Sequence, residues 1–343
     1  MKDRLDLFIF ADALGWELAR RHQVLVDILP RRQACETLFG YSATCDPTIL
    51  TGAWPRDHGH FSFFIKARDA SPFASLRWLS VLPHRLAGHH RVRNQVSRWL
   101  AGRRGYTGYF QLYSVPFWAL PYLDYTEKRD IYEAGGINGG QPTIFEHWAA
   151  SGKRWLRSDW RKGDVANFAQ AGEAIAAGEV ELLYLFTAGL DATMHRLGPE
   201  HPQVGEAFSN FSAQVRQLYE SACQRYRKVY VYVFSDHGMT KVTRRSDLLL
   251  RFKQLGLRYG RDYVAVWDST MARFWFEHEH ARAAVRDFLS AQTEGRIIDE
   301  AQLRAWGCDF PDHRFGELFF LLNPGTLFVP SFLNLGFVPG MHG

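Results

Sequence analysis

The chain has 343 residues, 46% hydrophobic and 22% charged, which is enough apolar mass for two domains of roughly 150 residues or one large domain with an insertion. Disorder is excluded as its main state, and 41 Lys and Arg against 36 Asp and Glu leave a formal charge of +5, a mild bias toward anionic partners and no nucleic-acid coat. No run reaches the roughly 20 apolar residues that span a bilayer, so neither a membrane nor a nucleic-acid polymer is expected as a partner.

At the N-terminus, Lys2 and Arg4 followed by Leu5, Leu7, Phe8, Ile9 and Phe10 have the outline of a secretory leader. Asp6 and Asp12 interrupt it and no small-residue cleavage site follows, so the segment reads as a buried first strand, Leu7 to Ala11. Val24 to Leu29 reads as a second strand with a helix before it, and Ala43 to Gly52 as a loop leading into a short helix. From residue 65 to 180 the texture changes: Trp78, Trp99, Trp118, Trp148, Trp155 and Trp160 lie among loops punctuated by Gly and Pro. The expected organisation is an α/β core at 1–64 and 181–343, with 65–180 an inserted cap; ordinary surface elements of one domain are the plainer alternative. Downstream, Glu181 to Thr187 and Val229 to Ser235 are apolar, strand-sized runs joined by a helical stretch from Gly205 to Arg227. Strand and helix alternation predicts a central, mostly parallel sheet with helices on both faces. Cys35, Cys45, Cys223 and Cys308 form no Cys-x-x-Cys pair, so neither a disulfide framework nor a thiolate zinc site is indicated and a reducing cytoplasm is expected.

Potential metal ligands sit where the strands end, the edge at which sites form in open α/β sheets. Asp12 ends the first strand, Asp191 and His195 follow the strand at 182–186 as Asp-x-x-x-His, and Asp236-His237-Gly238-Met239 follows the strand at 229–235. His342 lies in Met341-His342-Gly343. Each alone is as readily a helix cap or a surface histidine. Together, three Asp and three His can complete two neighbouring sites once one further oxygen ligand is added.

These strings, with Thr51-Gly52-Ala53-Trp54-Pro55-Arg56-Asp57-His58-Gly59, resemble the alkaline phosphatase superfamily, and within it the type I phosphodiesterases and nucleotide pyrophosphatases. The resemblance implies one metal held by Asp12, a hydroxyl nucleophile, Asp236 and His237, and a second held by Asp191, His195 and His342. It implies two divalent cations, Zn²⁺ from the donor set, with Mn²⁺ an alternative. Counting nine residues back from Thr51 assigns the nucleophile to Ser42, although Pro47 falls later than the proline of relatives, and a shifted alignment would promote Thr44 or Cys45. Ile49 stands where a sulfatase maturation signal requires Arg. The Asn that relatives place after His-Gly is missing from His60-Phe61-Ser62-Phe63, so His60 is the candidate replacement for a phosphoryl contact, and Arg273 a second candidate. Relatives usually continue beyond this His-Gly, and the sequence does not decide whether a natural tail follows Gly343.

The expected activity is a phosphodiesterase or nucleotide pyrophosphatase acting on a small-molecule phosphoester through a covalent phosphoseryl or phosphothreonyl intermediate. Phe117, Trp118, Tyr122, Tyr125, Trp155 and Trp160 are candidates for stacking on a base. Phosphomonoesterase, phosphonate hydrolase and phosphotransferase or mutase are the alternatives within the superfamily, and a noncatalytic anion-binding relative is the alternative outside it. Arg85, His89, His90, Arg91 and Arg93 make a short basic cluster without a recognised nucleic-acid motif. Oligomeric state is not set by these features.

Overall fold

The computed structural model describes residues 2–81 and 89–343 and divides into two compact units. The first takes in the described residues up to Leu38, Ile144–Lys241 and Val338–His342; the second takes in Phe39–Thr143, Val242–Phe337 and Gly343. The segment 65–180 expected as one insertion is therefore shared: residues 65–143 lie in the second unit, and 144–180 supply a strand and two helices to the first.

The first unit is built on a four-stranded, all-parallel sheet in the order Trp155–Arg157, Leu182–Thr187, Lys2–Ala11, Tyr226–Phe234. Leu5, Leu7, Ile9 and Ala11 alternate onto one face, where they join Leu183 and Leu185 in a core closed by Ile175, Phe208, Val215 and Leu218. Those last residues come from the helices Asp164–Ala177 and Pro202–Arg225. The opposite face is aromatic: Phe8 stacks on Tyr232 with centroids 4.8 Å apart and meets Trp148, on the helix Ile144–Ala150, at 5.3 Å. A central strand buried on both faces explains its near-continuous apolar sequence, and each fully buried aliphatic or aromatic side chain contributes about 1.5–3 kcal/mol.

The expected strand at Val24 to Leu29 is absent. Gln23 and Leu25 take positive φ of 49° and 55°, the segment forms successive turns, and Val24 and Leu25 still bury their side chains in the same core. Their apolar side chains are buried as a strand's would be, while the positive φ angles turn the backbone.

The second unit contains an antiparallel sheet that the sequence did not announce, in the order Gly295–Ile298, Leu318–Leu322, Met271–Phe276, Tyr263–Trp267. Its two last-named strands are buried along their whole length, so no polar alternation marks them. Trp267, Phe274, Phe252 and Phe320 anchor a core to which Leu76, Leu100 and Leu120 also belong. Ser42–Thr51 is one continuous helix and not a loop followed by a short helix. The Tyr41 carbonyl accepts from the amides of Thr44 and Cys45 at 2.7 and 3.2 Å, starting the helix upstream of Pro47, which lies inside it.

Candidate active site

Parallel register sets the level at which the site residues emerge. Ala11 pairs with Thr187 and Phe10 with Phe234, so Asp12 and Asp236 leave the sheet at one edge, and the helix Gly189–Leu197 starts from the same edge. The Asp12 amide donates to the Thr187 carbonyl at 3.0 Å, and the Ala13 amide reaches Asp236 Oδ1 at 3.3 Å, tying the loops after the first and last strands together. Gly15 and Gly238 make this approach possible: a Cβ on Gly15 would lie 2.5 Å from the Gly238 Cα, closer than real side chains come.

All six carboxylate and imidazole candidates come together in the first unit. His237 Nε2 lies 2.9 Å from Asp236 Oδ2 and 3.6 Å from Asp12 Oδ1. Asp191 Oδ1 lies 3.2 Å from His195 Nε2 and 3.9 Å from His342 Nε2. Donor atoms of Asp191, His195 and His342 fall within 4.8 Å of one another, as do those of Asp12, Asp191 and His237. The His237 and His342 rings are stacked at 3.5 Å, linking the two groups.

The ring nitrogens are oriented from behind. His195 Nδ1 faces the Gly340 carbonyl at 2.9 Å and His237 Nδ1 faces the Gly238 carbonyl at 3.0 Å. A carbonyl only accepts, so each Nδ1 donates to the carbonyl behind it, and Nε2 is the atom each ring turns toward the cluster. Burial lowers the pKa of His342 well below its ordinary value, and His237 and His195 lower it further, keeping the ring neutral as a ligand must be. Burial also opposes protonation of His195, but the Asp191 carboxylate and the Gly340 carbonyl outweigh it and raise its pKa. Two carboxylates so close to each other favour a cation between them, and hard oxygens mixed with imidazoles suit Zn²⁺ or Mn²⁺. The donor set therefore fits divalent metal.

Three supports were not foreseen. Asp164 accepts the amides of Ala188 and Gly189, both at 2.9 Å, and so holds the first turn of the helix bearing Asp191 and His195. Thr37 Oγ1 donates to the Asp236 carbonyl at 2.7 Å. Residues Gly340–Met341 pair with Thr240–Lys241, which brings His342 to the cluster, and a Cβ on Gly340 would strike the Met194 carbonyl oxygen at 2.3 Å.

The remaining candidates belong to the second unit. Ser42 is the first residue of its helix and is partly exposed. Thr44 is fully buried, and its hydroxyl donates to the Phe61 carbonyl at 2.7 Å, so it is committed to the interior. The motif from Thr51 to Gly59 proves to be a clamp. Gly52 and Gly59 close their helices in the left-handed conformation, and His58 Nε2 meets Thr48 Oγ1 at 2.9 Å while its Nδ1 accepts from the His60 amide.

Two expected substrate contacts are corrected. His60 is buried, its Nε2 accepts from the Asn138 amide at 2.9 Å, and burial lowers its pKa to about 3, so it packs as a neutral ring. Arg273 is fully buried: Nε pairs with Asp268 at 2.9 Å, and its other donors reach the Ser62 hydroxyl and the Phe64 and Phe315 carbonyls. Its fork serves the fold and does not grip a phosphoryl group. Among the aromatic candidates, Phe117 and Tyr125 are core residues and Trp155 packs against Phe145 and Trp148, whereas Trp118 and Tyr122 are exposed.

Residues 40–343 match the family described as type I phosphodiesterase / nucleotide pyrophosphatase. Among curated proteins, none matches the sequence. Human ectonucleotide pyrophosphatase / phosphodiesterase 5 shares the fold with a TM-score of 0.66 at 15% identity, over 99% of this chain and 84% of that one. The murine protein gives the same score and coverage at 16% identity, both by itself and as an inactive variant in complex with AMP. The chain belongs to the type I phosphodiesterase / nucleotide pyrophosphatase family and is a phosphoester hydrolase.

Proposed function

We propose that the chain is a phosphodiesterase or nucleotide pyrophosphatase that works in two steps through a phosphoserine at Ser42. The observation that carries this reading is the convergence of Asp12, Asp191, His195, Asp236, His237 and His342 at one edge of a parallel sheet. Asp12, Asp236 and His237 would hold one divalent cation and Asp191, His195 and His342 the other. When bound, such cations neutralise the phosphoryl group and the oxygens entering and leaving it, worth several kcal/mol.

The chain's own residues would do the rest. Ser42 Oγ attacks phosphorus as the bond to the leaving oxygen breaks, and its proton passes through water to that oxygen, so the leaving group departs as an alcohol or phosphate. Water then attacks the phosphoserine, breaks its P–O bond and restores the hydroxyl, so one water is consumed per turnover. The place of Ser42 at a helix start supports this role, because the positive end of the helix dipole favours developing negative charge on Oγ. The committed hydroxyl of Thr44 favours Ser42 over it. A murine relative's complex with AMP, and the exposed rings of Trp118 and Tyr122, support a nucleotide-like substrate.

The test compares a nitrophenyl monoester with its phenyl diester after chelation and restoration with Zn²⁺ or Mn²⁺, alongside Ser42→Ala and Thr44→Ser. Expected are diester preference, activity that returns with metal, loss in Ser42→Ala with metal content intact, and retention in Thr44→Ser. Monoester preference, or full activity of Ser42→Ala, would reverse the assignment.

A further inference from the structure

We propose that the second unit carries a docking face for an anionic phospholipid surface, formed by the outward stripe of the helix His90–Arg104 and the 3₁₀ segment Ala74–Val81. From residue 70 to residue 123 the sequence contains seven arginines and no Asp, Glu or Lys. Helical spacing distributes these charges. Arg93, Ser97 and Leu100 point inward, where Arg93 donates to the Val115 carbonyl at 2.6 Å and lies over the Phe117 ring at 3.9 Å. Arg91, Arg98, Trp99 and Arg103 make up the exposed stripe.

The 3₁₀ segment adds to it. Leu76 and Leu100 are buried in one core, and the Arg104 side chain donates at 3.1 Å to the carbonyl of Pro72, just before the segment. Trp78 is 68% exposed, Val81 83% and Trp99 54%, and the Arg77 guanidinium lies 5.1 Å from the Trp78 ring. Arg85 of the basic cluster lies outside the described residues, and His89 caps the helix by accepting from the Arg91 amide.

Charge selects an anionic occupant, and the apolar groups select a bilayer. Indole rings settle at the headgroup boundary, arginine stems lie along apolar surface while their heads reach phosphate, and juxtamembrane cations are drawn to an acidic leaflet. Single-stranded nucleic acid would also accept arginine and stack on Trp. Val81, the most exposed of the three apolar groups, has neither a ring to stack nor a polar atom to read a base, and burial in an apolar phase is what removes it from water. The sequence expectation of no membrane partner rested on the absence of a spanning run. Among the described residues no helix is long and apolar enough to cross a membrane, and lying on its surface requires no such helix.

The full chain would be sedimented with vesicles of phosphatidylcholine alone and of phosphatidylcholine with one-third phosphatidylglycerol, at low and high salt, and with poly(U) in a separate arm. Binding to the anionic vesicles, weakened by salt and absent on the neutral ones, is expected. Each arginine lost should weaken binding about fivefold, so Arg98→Gln with Arg103→Gln should cost about 25-fold, while Arg98→Lys with Arg103→Lys retains it. Trp78→Ala with Trp99→Ala should abolish the binding that survives high salt. Hydrolysis of a soluble diester, unchanged in every variant, shows that each is folded. Equal binding to both vesicles, binding to neither, insensitivity to the Arg→Gln pair, or capture by poly(U) without vesicle binding would each overturn the proposal, and the wild-type arms suffice for three of these.

Discussion

Both units bury polar side chains, and the way they do so differs. In the second unit the buried polar groups meet as donor and acceptor: Arg273 with Asp268, Ser62 and two carbonyls; His58 with Thr48 and the His60 amide; His60 with the Asn138 amide. In the first unit, carboxylate oxygens and imidazole nitrogens from separate stretches of chain crowd within 4.8 Å in groups of three, with the second nitrogen of His195 and of His237 held by a carbonyl behind it. A paired donor and acceptor make a structural contact. A gathering of carboxylates and imidazoles with ligand atoms this close suits a cation, so residue types that look alike in sequence do different work in the two units.

The sharpest way to break that comparison is to remove one charged group from each cluster. Asp236→Asn keeps the shape and removes a ligand charge, and we expect kcat/KM to fall about 10⁴-fold with lower bound metal by mass spectrometry and little change in melting temperature. Arg273→Met strands the buried Asp268 carboxylate, whose pKa burial raises and Arg273 lowers only in part, and should cost about 3–5 kcal/mol of stability in urea unfolding. Metal content should be unchanged in whatever fraction stays folded. An active Asp236→Asn chain, or an Arg273→Met chain that is stable and inactive, would exchange the roles assigned to the two clusters.

Acid provides a test of intermediate size. Burial lowers the pKa of His58 from 6.5 to about 4 and that of His60 to about 3. Above pH 6.5 both rings are neutral in the folded and unfolded chain, and pH has no leverage through them. Below it the unfolded chain takes up protons that the folded chain refuses, so stability falls as pH drops from 6.5 through 4, where the His58 contribution is exhausted, and on toward 3 for His60. For His58 the loss is about 3 kcal/mol. Urea midpoints measured across this range should decline, and His58→Gln should decline less while being weaker at pH 7; parallel slopes for the two proteins would contradict the buried neutral ring.

What could be read in the sequence followed from periodicity. A parallel strand buried on both faces has a continuous apolar run, and the residues past its end lie at the sheet's carboxyl edge, either just past it, as for Asp12 and Asp236, or in the first turn of the helix that follows, as for Asp191. Arg273 and His60 misled because their partners are remote: Ser62 and Phe315 enclose the first and Asn138 engages the second, contacts that no local pattern encodes. The strands Tyr263–Trp267 and Met271–Phe276 escaped notice for a related reason, since full burial erased the alternation that would have marked them. The Gly15 to Gly238 approach joins loops more than two hundred residues apart and likewise has no local signal.

Asp164 is the subtlest part of the first unit, and it limits how far the comparison extends. It begins its own helix, the role its position would suggest, yet its two oxygens accept from Ala188 and Gly189 at the start of another. A Cβ on Gly189 would lie 2.5 Å from Asp164 Oδ2, so the contact requires glycine there. Asp164→Ala would leave two amides of that turn without this acceptor and free the helix carrying Asp191 and His195 to drift. Supports of this kind typically cost about tenfold in metal affinity, with Asp164→Asn in between because its amide oxygen can still accept one of the two amides. Titration of the apoprotein with Zn²⁺ should show that shift, and excess metal should restore most of the activity. A loss of stability with unchanged metal affinity would return Asp164 to the ordinary role of a helix cap.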